Sequence, residues 1–173
     1  MAAGCSSGPA TPSTTLVYDG SRAGNLVLKD KRGPVTYGML VLCVSSGPVT
    51  VTAITAGTVY GDVVIQGWGH RPNPMATGGA AVGAAFSTLA ALGFNSDPVS
   101  VSGTCPTRDH YLGADAAPEL AVQLGRTGSR GGWIDGLSVT YRSEDGQLRH
   151  LFVPWQVGMC GSDPIHTGLL ECP

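Results

Sequence analysis

The residues best suited to chemistry lie near the C-terminus, in Cys160-Gly161-Ser162-Asp163-Pro164-Ile165-His166. A thiolate and an imidazole on one short loop can hold copper in a trigonal site whose axial ligand is weak or absent. The competing use of Cys160 is a disulfide, since Cys172 follows closely. Cys43, Cys105, Cys160 and Cys172 lie within the part of the chain that reads as folded and form no CxxC pair. That pattern predicts two disulfides and an oxidising compartment. Chain direction favours Cys43 with Cys160 and Cys105 with Cys172.

Other groupings carry less chemistry. His70, His110, His150 and His166 show no metal spacing such as HExxH, and no GxSxG elbow is present. Asp109-His110 and Asp115 follow Cys105-Pro106, where a histidine beside a carboxylate reads as a solvated turn before it reads as an acid–base pair. Asp19, Asp30, Asp62, Asp97 and Asp145 fall singly at turn sequences and make no calcium loop. Gly78-Gly79-Ala80-Ala81-Val82-Gly83 lacks the Lys-Ser/Thr that a phosphate-binding loop needs.

The elements that must position these residues are strands. In residues 37–68, a continuous apolar run over 39–44 is separated by Ser45-Ser46-Gly47-Pro48 from an alternating run. Val49, Val51 and Ala53 would share one face, with Thr50, Thr52 and Ile54 on the other. The gaps are too short for crossover helices, so neighbours should be antiparallel. Residues 119–126 alternate with Leu120, Val122 and Leu124 inward. Residues 133–142 do so through Ile134, Gly136, Leu137, Val139 and Tyr141. Asp145-Gly146 marks a tight hairpin, and Pro154 an edge or bulge in the last long strand. One short helix is predicted over about 83–92, closed by Gly93. The expected fold is all-β: a two-sheet antiparallel, immunoglobulin-like Greek-key sandwich of about eight strands. Trp68, Trp133 and Trp155 sit on strands, where tryptophan usually pins a core.

Composition agrees with such a domain. Of 173 residues, 42% are hydrophobic and 13% charged, with 26 Gly and 12 Pro, too apolar and too weakly charged for disorder. A net charge of −2, with Lys29 and Lys31 the only lysines, offers no basic field for a nucleic-acid partner. Residues 1–20 read as a flexible Ser/Pro/Thr tether and 21–173 as one domain. Ala2-Ala3-Gly4-Cys5 resembles the end of a bacterial lipobox, with Ala2 where Leu is usual. It implies acylation of Cys5 and a membrane anchor.

Two wider resemblances follow from these residues. The Cys160–His166 loop is similar to the copper loop of cupredoxins, which are also sandwiches of this size. That likeness implies His70 as the upstream ligand and Leu170 in the axial position, although Gly69-His70-Arg71-Pro72 departs from the usual His-Asn context. The apolar run over 37–44, Arg71-Pro72-Asn73-Pro74, Leu89-Ala90-Ala91-Leu92-Gly93-Phe94 and the strands ending at Cys160 resemble uncharacterised secreted or lipid-anchored actinomycete proteins with an immunoglobulin-like sandwich. This second likeness implies a location and a fold and brings no activity with it. The sequence-based expectation is a non-catalytic binding or structural module at the cell surface, without a cofactor. Its partner would be a surface protein or wall polymer. A copper protein using His70, Cys160 and His166 is the first alternative. An extracellular hydrolase built around His110 or His70 is the second.

Overall fold

Runs of Val, Ile, Leu and Thr at a period of two become strands because their branched side chains pack well on a pleated surface covered on one face. The computed structural model describes residues 14–18, 25–28, 33–80, 83–105, 117–162, 166–167 and 170–171. Among the described residues thirteen strands run in chain order: β1 (Leu16–Val17), β2 (Asn25–Leu28), β3 (Val35–Val41), β4 (Cys43–Val44), β5 (Val49–Gly61), β6 (Val63–Arg71), β7 (Ala84–Ala85), β8 (Val99–Val101), β9 (Glu119–Arg126), β10 (Gly132–Arg142), β11 (Leu148–Met159), β12 (His166–Thr167) and β13 (Leu170–Glu171).

Two sheets carry the core. One has the order β2-β11-β10-β5-β8 and the other β6-β9-β3-β7, while β1-β4 and β12-β13 form small ladders of their own. Among the described strands every ladder is antiparallel except β2 with β11, and an isolated parallel bridge joins Val44 to Thr104. Successive strands β3, β5, β6, β9, β10 and β11 distribute between the sheets as the B to G strands of an immunoglobulin-like Greek key do. The expected all-β sandwich is the observed fold, with more strands than the sequence rhythm implied because several two-residue strands join the long ones.

The faces are set by irregularities as much as by alternation. Thr140 pairs with Ala53 but Tyr141 with Val51, so Thr52 is an extra residue that reverses the phase of β5. Val49, Val51 and Ile54 are therefore the buried set, and Ala53 does not join them. In β10, Ile134, Leu137, Val139 and Tyr141 are all buried, and the change of phase falls at Gly136, whose φ is +78°. Across from it, β11 passes Pro154, a point where β2 has not yet joined its free side and no amide hydrogen is needed.

The predicted helix over 83–92 does not form. Ala84–Ala85 instead pairs with Thr36 and Tyr37 of β3, and only Ala90–Leu92 makes a short 3-10 turn, closed by Gly93 at φ +79°. A stretch this short gains too few internal hydrogen bonds to offset nucleation. The sheet supplies partners instead, with Thr36 Oγ1 donating to the Ser87 carbonyl and the Leu89 amide donating to Gln123 Oε1. Leu89 and Phe94 then pack on Ala121, while Phe86 stays exposed.

The N-terminal boundary also moves. Residues 14–18, expected within the tether, belong to the sandwich: Leu16 is buried and pairs with Val44, and Tyr18 reaches the core. There Trp155, buried between the sheets, donates its indole N–H to the Tyr18 hydroxyl at 2.7 Å and lies against Tyr37 with ring centroids 4.9 Å apart. Burial pushes the Tyr37 hydroxyl pKa up, with Tyr18 adding to the effect.

Two outcomes follow. Trp155→Ala should cost about 3–5 kcal/mol in a denaturant titration, the usual loss for emptying an aromatic site in a core. In the β10–β11 hairpin, the Asp145 carboxylate accepts from the Ser143 hydroxyl and the Gln147 amide, which hold its pKa below the ordinary 3.8. Its contribution to stability is therefore present at neutral pH and fades as pH falls through the acid range. Asp145→Asn should be less stable than wild type at pH 7, and the gap should close on acidification.

Candidate functional site

Strand β9 serves as a ruler for the residues singled out above. It spans eight residues, roughly 23 Å at about 3.3 Å per residue. At its start, Glu119 pairs with Arg71 of β6 and Val41 of β3, so His70 and Cys43 lie at this end. At its far end, Arg126 donates to the Cys160 carbonyl at 3.1 Å. His70 and Cys160 thus occupy opposite ends of the sandwich, and the set His70, Cys160 and His166 does not come together. His70 faces Asp97 at 3.3 Å, and its backbone is paired with Asn95. His166 lies in β12, paired with β13. Among the described residues, no group of three His, Cys, Asp or Glu is arranged to hold a metal ion.

The cysteines are corrected by the same geometry. Cys43 is bonded to Cys105, across 62 residues, and not to Cys160. The segment after β8 runs beside β4, with the Val44 amide bonded to the Gly103 carbonyl and the Cys105 amide to the Val44 carbonyl. Chain direction alone cannot reveal this, because the return of the segment after β8 to β4 depends on the sheet order. Cys160 is itself disulfide-bonded, so its sulfur offers a metal no thiolate while that bond holds. Cys172 and Cys5 lie outside the described residues, as do Asp109, His110 and Asp115.

Other candidates have local partners. Asp62 takes the Arg130 amide at 3.0 Å and its guanidinium at 3.5 Å, which ties down the Arg126–Gly131 loop. Buried Glu119 is held by the Arg71 guanidinium at 2.7 Å, and that group lies 4.7 Å above the Phe94 ring. His150 shares a 3.1 Å hydrogen bond with Thr140. These contacts brace neighbouring strands and loops.

Two surfaces stand out, neither of which sequence periodicity flags. The first is the outer face of the five-stranded sheet. Trp133 and Tyr60 are cross-strand partners with stacked rings, centroids 4.4 Å apart, and Tyr60 remains 43% exposed. Phe152 is 59% exposed and lies over Gly136 and Gly57, where a Cβ on either glycine would run into its ring. Between them sit Thr58, Ser138, and Asp135 accepting from Gln156 at 3.1 Å. A signal existed in the glycines opposite Phe152, but only strand register reveals it.

The second surface is a groove of about 360 Å³ on the open flank of the sandwich. Ile54, Thr55, Ala56 and Val59 of β5 line one wall, and Val64, Ile65, Gln66 and Gly67 of β6 the other. Comparison with protein-family models, curated proteins and solved structures finds no match for this chain. The site is therefore read from its own geometry. The disulfide supplies a direct check: replacing Cys43 and Cys105 together by Ser should lower stability by about 4 kcal/mol, the chain-entropy value for a loop of 62 residues. A non-reducing peptide map should return the Cys43–Cys105 bridge.

Proposed function

We propose that this chain is a disulfide-stapled binding module working outside the cytoplasm, with the outer face of its five-stranded sheet as the contact surface for a cell-wall polymer. The exposure of Phe152 beside the Tyr60–Trp133 stack carries the reading. A folded chain gains about 25 cal/mol for each Å² of apolar surface removed from water, so aromatic rings left outside on one face mark a place where something else covers them. Flat rings suit the apolar face of a sugar ring, and Thr58, Asp135 and Gln156 stand between them to meet hydroxyl groups. The Cys43–Cys105 bridge supports an oxidising compartment. Acylation of Cys5 would fix the module to a membrane, with the Ser/Pro/Thr residues that follow Cys5 as the tether.

The test is retention of the full chain on insoluble bacterial wall material. Phe152→Ser combined with Tyr60→Ser should weaken retention by about tenfold or more while the unfolding midpoint changes little, since both residues are exposed. Equal retention of wild type and variant, or retention of neither, overturns the reading.

A further inference from the structure

The open flank has a feature that the aromatic face lacks: a row of backbone groups without a neighbour among the described residues. β8 covers only Val49, Val51 and the Thr50 between them. From residue 52 to 61, β5 is paired with β10 on one side and, among the described residues, with nothing on the other. β6 is likewise the edge of its own sheet, bridged from outside, among the described residues, only at His70 by Asn95.

Natural edge strands are usually blunted by a charge, a proline or a covering loop, because bare amide and carbonyl groups recruit other strands. Residues 52–61, Thr-Ala-Ile-Thr-Ala-Gly-Thr-Val-Tyr-Gly, contain none of Asp, Glu, Lys, Arg or Pro. Thr55 and residues 57–61 are exposed. Beside this undefended edge lies the uncharged groove between β5 and β6.

We propose that this flank is a docking site for an extended segment of a partner protein. The segment adds as a strand to the free edge of β5 and places every second side chain in the groove. The lining fixes the chemistry of the occupant. Rows of backbone donors and acceptors demand an extended peptide, and walls of Ile54, Ala56, Val59, Val64 and Ile65 demand aliphatic side chains at alternate positions. A second copy of this chain fits poorly. Its own β5 would arrive with Ile54 already packed in its own core, leaving the groove unfilled. The site is separate from the aromatic face and stands whether or not that face binds a polymer.

The test uses the full, oxidised chain and a displayed library of short random peptides, followed by amide exchange on the complex. Recovered peptides should carry Val, Ile, Leu or Thr at alternate positions and slow exchange in residues 52–60 by about tenfold or more. Val59→Lys, which puts a charge at the groove, should weaken their binding by at least about tenfold, and Phe152→Ser should leave it unchanged. Thr55→Lys serves as the edge blocker should Val59→Lys lose the fold. Failure to recover peptides that distinguish wild type from the blocked variant overturns the proposal. So does protection confined to other strands, or protection of residues 52–60 that grows with protein concentration without peptide, the signature of pairing between copies.

Discussion

The corner at Gly61 and Asp62, where the chain leaves one sheet and enters the other, constrains most of what surrounds it. Gly61 has φ +75°, and a Cβ there would lie 2.3 Å from the Gly131 carbonyl oxygen. Gly132 is equally crowded, 2.3 Å from the carbonyl of Tyr60. Only backbones without side chains approach so closely. Asp62 then closes the corner, its carbonyl taking the Thr127 amide and its carboxylate the Arg130 amide. The start of β10, the end of β11 and the turn from β5 to β6 are thereby held in one place. Away from that point β5 and β6 must diverge, because they belong to different sheets. The groove on the flank is the space left by that divergence.

Irregular pairing explains how the same strands build a filled core and a varied exterior. The extra residue at Thr52 turns Ile54 inward, and the reversal at Gly136 lets Ile134 and Leu137 both reach the core. The same reversal clears a flat seat for Phe152 on the other side. An uninterrupted alternation would have placed some of these side chains on the wrong face. Burial and surface display are therefore two results of a few local irregularities.

Much of the framework was legible in the sequence because it depends on local signals. The alternation of Leu120, Val122 and Leu124, the Asp145-Gly146 turn, the C-cap at Gly93 and the core role of Trp155 were readable from composition and spacing, whereas Trp133, expected in the core on the same ground, lies on the outer face against Tyr60. What was missed depends on neighbours distant in the chain. The run of alanines near Leu89 has good helix propensity, yet Thr36 and Gln123, far away in sequence, offer its backbone better partners. The Cys43–Cys105 bridge depends on the segment after β8 returning beside β4. The Cys160–His166 spacing suggested copper, but the pairing of β9 separates Cys160 from His70, and Cys160 is already bonded. The aromatic face and the bare edge were invisible, since each is a property of register and sheet order.

The parallel ladder of β2 with β11 gives the module a mechanical character. β2 runs alongside β11 over Asn25–Leu28 and 156–159. A pull on the chain entering β2, opposed by one on the chain leaving β11, slides the two strands past each other. Such loading strains all the hydrogen bonds of the ladder at once, whereas an antiparallel hairpin pulled from its open end gives way one bond after another. Loaded across β2 and β11 in this way, the sheet resists as a lap joint does, and the contacts of β1 with β4 and of Tyr18 with Trp155 stand ahead of that joint on the N-terminal side.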